Sequence, residues 1–279
     1  MRAGGNGQTL DVIELQAGNS HCALSPADGG RLASLTVAGV ALLVERADEN
    51  ADPMSWGSFP MVPFAGRVRA GRFSFDGNEY QLVPNLAPHA IHGTVFVQPW
   101  SVSDLSDSAV TMTCPLGDHW PFGGVAHQRI ELTATGLACT LGVTADDLPM
   151  PAQVGWHPWF VKPATAQLSF AAMYRRDGAG IPTGELVAPP EGPWDDCFVD
   201  PLAPLELCYE NGDRTLTLTV SSDCPWWVVY DQLRHATCVE PQSGPPDGFN
   251  AIGSPAATIL APHETLERTM QLSWSFNAN

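Results

Sequence analysis

The 26 glycines and 25 prolines of this 279-residue chain are scattered along its whole length, and that punctuation decides what it can fold into. Proline removes a backbone donor and clashes with the preceding helical turn, while glycine weakens a helix by about 1 kcal/mol relative to alanine. No stretch keeps apolar residues at the 3.6-residue period over several turns, so long amphipathic helices are not expected. The intervals between the breaks are short and alternate instead. In GRFSFDGNEYQL (71–82), Phe73 and Phe75 alternate with polar residues, Asp76-Gly77 supplies a hairpin turn, and Tyr80 and Leu82 continue the return strand. RIELTATGLACTLGVTA (129–145) reads the same way, turning at Thr135-Gly136. RTLTLTVSS, PWWVVYD and ERTMQLSWSF, rich in Thr, Val and aromatic residues, are further strands. The pattern predicts an all-β, many-stranded domain, a large sandwich rather than a small barrel. Without an internal repeat or a shift in composition, residues 9–279 are expected to form one domain, and the glycine-rich residues 1–8 a loose terminus.

Charge narrows the partners. Thirty acidic against 13 basic residues give a formal net charge of −17, which opposes a nucleic-acid or anionic-membrane surface. The seven cysteines (22, 114, 139, 197, 208, 224, 238) have no CxxC spacing and read as reduced thiols serving as small hydrophobes. The start lacks the apolar core of a signal peptide, and no apolar run approaches the ~18 residues of a membrane helix. A soluble, cytoplasmic protein is expected.

Four segments combine ionisable residues with aromatics and turn formers. FPMVPFAGRVRAGRF (59–73) carries Arg67, Arg69 and Arg72, and HAIHGTVFVQPW (89–100) carries His89 and His92. QVGWHPWFVK (153–162) fences His157 among Trp156, Pro158, Trp159 and Phe160; CVEPQSGPPDGFN (238–250) sets Glu240 before a Pro/Gly-rich loop. Each has a plain alternative. A lone histidine in an apolar segment is more often a hydrogen-bonded core residue than a catalyst, and arginines around a hairpin are more often surface ion-pair partners than ligand clamps. His89 and His92 at i,i+3 lack a third ligand at a familiar spacing, so no metal site is expected.

In order along nearly the whole chain, these segments resemble the aldose 1-epimerase (galactose mutarotase) family. SPADGGRLASLTVAGVALL (25–43) is similar to the family's opening Gly-Gly strand pair, HAIHG to its His-x-x-His-Gly element, and MPAQVGWHPWF to its Gly-x-His-Pro-aromatic-Phe element. The 59–82 stretch resembles its proline-bounded segment with a central arginine and a following hairpin. PWDDCFVD (193–200) resembles its aspartate segment, and CVEPQSGPPDGFN its Glu-Pro loop. Two positions depart from the family pattern: Gly66 stands where an asparagine usually precedes the central arginine, and the turn often read Pro-Gly-Glu is Pro262-His263-Glu264.

The resemblance implies a large antiparallel β-supersandwich and cofactor-independent interconversion of the α and β anomers of a small free sugar. It assigns the base to Glu240, ionised near its ordinary pKa, and the acid to His157, whose ring exchanges a proton near neutrality. It places His92, Arg67 and Asp195 on the sugar, with Asp196 and Arg69 as neighbouring alternatives and Gln242 as a pocket neighbour. The tryptophans and phenylalanine around His157 would wall the pocket. Three alternatives share these features: an epimerase of a hexose 6-phosphate or a sugar acid, a non-catalytic carbohydrate-binding domain, and an accessory domain of a polysaccharide lyase or glycosidase. A paired Glu240 and His157 favours the enzyme, since a binder needs no acid–base pair.

Overall fold

Two antiparallel sheets carry the chain, in a computed structural model that describes residues 12–251 and 257–278. The loose terminus expected over residues 1–8 lies outside the described residues. The front sheet has eleven strands. Its path runs Ile13–Ala17, Ser20–Ser25, Arg31–Val37, Ser58–Met61, Gly155–Val161, Ala236–Gln242, Trp226–Tyr230, Asp195–Pro201, Phe170–Arg176 and Pro182–Val187, with Val40–Ala41 paired to the third. The back sheet has eight: Ser101–Leu105, Ala109–Pro115, Val125–Leu132, Gly136–Thr144, Thr265–Ala278, Arg214–Ser222, Leu205–Asn211 and Thr165–Gln167. Helical structure among the described residues is confined to three 3₁₀ turns. The all-β expectation and the supersandwich therefore hold.

The hairpins fall where their turn residues place them. Arg72–Phe75 pairs with Asn78–Gln81, with Asp76 and Gly77 both at positive φ (48° and 75°), the backbone that a two-residue hairpin needs to match strand twist. Val125–Leu132 returns as Gly136–Thr144 around residues 133–135.

Back-sheet strands keep a clean period of two. Leu216, Leu218 and Val220 are buried between more open neighbours, and Leu137, Cys139, Leu141 and Val143 follow the same spacing, with the side-chain-free Gly142 buried as well. Each fully buried Leu or Val contributes about 1.5–3 kcal/mol by leaving water. The same core cluster takes in Leu15, Leu24, Leu35, Trp156, Phe160 and Val239 from the front sheet, so the apolar faces of both sheets share one interior.

The middle of the front sheet departs from alternation. Every residue of Ala236–Gln242 is buried, and so is Gly155–Val161 up to its last residue. One face of these strands packs into the common core. The other lies under loops and a second apolar cluster containing Phe59, Met61, Phe96, Trp159 and Cys238. A strand buried on both faces reads as a continuous run, and here the run contains a histidine, a glutamate and a glutamine.

Candidate active site

Strand register assembles the site. Gly155 pairs with Gln242 and Trp159 with Cys238, which sets His157 opposite Glu240 on the neighbouring strand. On the other edge of the histidine strand His157 pairs with Phe59; beyond the glutamate strand Glu240 pairs with Val228, and Tyr230 in turn pairs with Asp195. Four adjacent strands thus present His157, Glu240, Val228, Tyr230 and Asp195 to one side of the sheet. Loops complete the enclosure. Arg67 and His92 arrive on a small ladder in which Arg67 pairs with Ile91 and the His92 amide donates to the Gly66 carbonyl (3.1 Å). The result is a cavity of about 490 Å³ lined by Arg67, His92, His157, Asp195, Glu240 and Gln242 together with Trp159, Tyr230 and rim residues. All five residues that the family resemblance assigned line this one cavity.

Two glycines let the backbone come this close. Gly93 has φ +80°, and a Cβ there would sit 2.0 Å from the Val62 carbonyl oxygen, so only glycine follows His92. Gly66 has φ +68°, and a Cβ there would sit 2.7 Å from the Pro246 ring. Pro246 therefore occupies the space that a side chain at position 66 would need in this chain.

His157 Nε2 lies 3.3 Å from Glu240 Oε1, both side chains almost wholly buried. The distance suits an ion pair, but burial opposes both charges. Desolvation holds the Glu240 carboxyl well above the usual carboxylate range, reinforced by Asp195 and partly offset by the Gln242 hydrogen bond and Arg67. It pushes His157 down to about 3, with the Arg31 charge acting in the same direction. Both directions run against the expectation of an ordinary glutamate and a near-neutral histidine, since burial favours the protonated carboxyl and the neutral imidazole. His92, edge-on to His157 with centroids 4.9 Å apart, is likewise driven well below the ordinary histidine range by burial.

Behind His157 stands a column of flat groups. The imidazole stacks on Trp159 (5.1 Å) on one side and on Phe59 (4.7 Å) on the other. The Arg31 guanidinium lies 5.4 Å from the Phe59 centroid and 4.1 Å from that of Trp56. Arg31 is fully buried and donates to the carbonyls of Asp28, Pro53, Trp56 and Phe96, which fastens the 52–57 loop, part of the cavity rim, to the sheet.

Of the aromatic neighbours expected to wall the pocket, only Trp159 does so. Trp156 and Phe160 belong to the inter-sheet core, because residues at odd spacing from His157 point to the opposite face. Tyr230, Val228 and Gln232 were not singled out in the sequence; only the register of PWWVVYD against the glutamate strand brings Val228 and Tyr230 to the cavity.

The structure also sorts the neighbouring alternatives. Arg69 pairs with Asp177 (2.8 Å) and Asp247 (3.6 Å), and Arg72 donates to Gln81 (2.9 Å), leaving Arg67 as the arginine on the cavity wall. Asp195 lines the cavity, whereas Asp196 turns away; Arg176 holds both, at 2.7 and 3.0 Å. His89 accepts a hydrogen bond from the Ala70 amide (3.1 Å) and is structural.

One set of donors has metal-binding character. His157, Cys238 and Glu240 each place one donor atom within 4.8 Å of the others, a nitrogen–sulfur–oxygen set suited to zinc. Cys238 is fully buried in the cluster with Trp159, is absent from the cavity wall, and its thiol is held protonated by burial. The trio is therefore not open to an ion entering from solvent.

Comparison with known proteins places the chain in a family. The sequence profile of the aldose 1-epimerase family matches residues 11–273. An uncharacterised protein of Escherichia coli, YphB, is 30% identical over 249 residues, covering 77% of this chain and 83% of that protein. A putative aldose 1-epimerase from Escherichia coli superposes with a TM-score of 0.81 at 22% identity, over 95% of this chain and 99% of the other. A galactose 1-epimerase from Lactobacillus acidophilus gives 0.77 at 17% identity, over 99% and 97%. At these identities the structural likenesses establish the fold, while the profile establishes the family.

Proposed function

The chain belongs to the aldose 1-epimerase family, and on that premise we propose that it interconverts the α and β anomers of a free aldose such as glucose or galactose. The observation that carries the reading is the contact between His157 Nε2 and Glu240 Oε1 at 3.3 Å, on the wall of a sugar-sized cavity. Mutarotation moves two protons at one hemiacetal carbon. Glu240 takes the proton of the anomeric hydroxyl as the C1–ring-oxygen bond breaks, and His157 gives a proton to the ring oxygen. The product is the open aldehyde. Rotation about C1–C2 presents the other carbonyl face; the ring hydroxyl then returns its proton to His157 as it attacks, and Glu240 reprotonates O1.

The burial of the pair fits this cycle. Starting the reaction needs an ionised Glu240 beside a protonated His157, whereas burial favours the neutral pair. The two forms hold the same single proton and differ by its transfer across 3.3 Å, so bulk solvent need not supply it. The neutral form is also the state in which the pair stands once the ring has opened. Sugar hydroxyls and the Arg67 guanidinium, which has no ion-pair partner among the described residues, favour the charged form when substrate binds. Asp195, held by Arg176, accepts a hydroxyl hydrogen bond, and His92 supports the ring-oxygen side. Each well-placed acid or base contributes about 10²–10⁴-fold.

Free sugars fit better than phosphorylated or acidic ones. Arg69 and Arg72 are engaged elsewhere, and the wall carries Asp52 and Asp195 against the single Arg67. The test is exchange NMR of the anomeric protons across a panel of aldoses, hexose 6-phosphates and hexuronic acids. Protein-dependent α–β exchange for a neutral aldose is expected. Exchange confined to the anionic sugars would contradict the reading, and binding without exchange would make the protein a carbohydrate binder.

A further inference from the structure

Two residues beyond Glu240 on the same strand, Gln242 is fully buried and faces the same cavity. Its Nε2 donates to Glu240 Oε2 at 3.3 Å, while the other carboxyl oxygen faces His157. Its Oε1 is buried without a hydrogen-bond partner. A buried amide carbonyl left unpaired is costly, and an apolar residue of similar shape would avoid the cost. Opposite it stands Gly155, where a Cβ would come within 3.2 Å of the Gln242 Cα and 2.8 Å of the Pro241 carbonyl, so the two strands lie too close for a side chain there.

From this geometry we infer that Gln242 is a positioning residue: its amide fixes one oxygen of Glu240, and its free carbonyl receives a hydroxyl of the bound sugar. The inference rests on the proposed role of Glu240 as base. One side chain thereby joins the base to the substrate, and the carboxyl oxygen beside His157 is left to move protons. The other groups facing Glu240 are His157 and, behind it, His92; Asp195 and Arg67, of opposite charge; and the thiols of Cys238 and Cys197, both held protonated by burial. Among them Gln242 is the one that donates a hydrogen bond to Oε2.

The test compares Gln242→Met, which retains bulk without the amide, and Gln242→Asn, which keeps the amide but withdraws it by one methylene from the Glu240 carboxyl. Glutamate labelled with ¹³C at Cδ reports the Glu240 titration directly, its signal assigned by its loss in Glu240→Gln; this readout does not depend on activity. Losing the hydrogen bond should raise the Glu240 midpoint by about one pH unit in both variants. In the anomerisation assay the alkaline limb should move up with it, and kcat should fall by about 10²-fold through misplacement of the base. KM should rise in Gln242→Met. An unmoved midpoint in variants that melt as the wild type does would overturn the positioning role, and an unchanged KM would remove the sugar contact. A raised midpoint in a protein whose wild type exchanges no aldose would leave the contact standing and overturn the functional reading instead.

Discussion

The two sheets solve opposite problems. In the back sheet, the buried side chains of Gly136–Thr144, Arg214–Ser222 and Thr265–Ala278 are all apolar. In the front sheet, the strands at the centre bury His157, Glu240 and Gln242 on a face that a purely structural protein would leave to Val or Leu. Among the described residues, the buried polar atoms without a partner follow the same division. Ser58 Oγ, Trp156 Nε1, His157 Nδ1, Trp159 Nε1 and Gln242 Oε1 lie on front-sheet strands, with His92 Nδ1 on the adjoining loop, whereas Tyr209 and Arg268 represent the back sheet. One sheet supplies stability; the other gives up part of it to hold polar side chains in a pre-assembled site.

The comparison breaks most visibly in activity. Glu240→Gln and His157→Asn should each lower kcat by about 10²–10⁴-fold, with circular dichroism and melting showing an intact fold. A loss below tenfold in either variant would remove that residue from the proton transfers. The converse experiment is Leu218→Ala in the back sheet, where the side chain is fully buried. It should reduce unfolding free energy by about 2–5 kcal/mol in urea titrations while leaving kcat per folded molecule unchanged. A matching loss of kcat would show that the two sheets are not separable in this way.

Next comes the pH dependence of stability, where the sign discriminates. Glu240 has a folded pKa raised by burial, so the folded state binds a proton that the unfolded chain releases, and stability falls as pH rises from the ordinary carboxylate range through the folded value. Glu240→Gln removes that loss, so its melting temperature should exceed that of the wild type by more at alkaline than at acidic pH. His157 acts on the other flank. Its folded pKa, lowered to about 3, means that unfolding takes up a proton as pH falls below about 6.5, and stability declines by about 1.4 kcal/mol per pH unit until about pH 3. His157→Asn should flatten that slope in acid titrations followed by fluorescence. The smallest effect is expected at Arg69→Gln. Solvent screens this exposed pair with Asp177, so its loss should barely move the melting temperature and leave the kinetics untouched.

The same contrast explains what could be read without coordinates. Alternation, turn residues and the spread of Gly and Pro suffice for the all-β class, because RTLTLTVSS and GLACTLGVT obey a local rule, one face dry and one wet. The doubly buried strands obey no such rule, and GWHPWF reads as an aromatic cluster without direction. That is why Trp156 and Phe160 were expected on the pocket wall and prove to face the core. Glu240 and His157 were legible through family resemblance, but their protonation was not, since a pKa depends on how completely the fold removes water. Tyr230 needed register, since nothing local distinguishes it from other strand aromatics until its strand is laid beside Glu240; Gln242 was expected as a pocket neighbour, and only its contact with Glu240 needed the fold.

His157 and Glu240 face each other across 3.3 Å, both almost wholly buried. The most direct measurement is polarimetry of freshly dissolved α-D-glucose and α-D-galactose with the wild type, Glu240→Gln and His157→Asn, at matched folded concentrations. Acceleration by the wild type to the same final rotation as the uncatalysed sugar, abolished in both variants, is the predicted result. Acceleration that survives in either variant would contradict the pairing of Glu240 with His157 as base and acid.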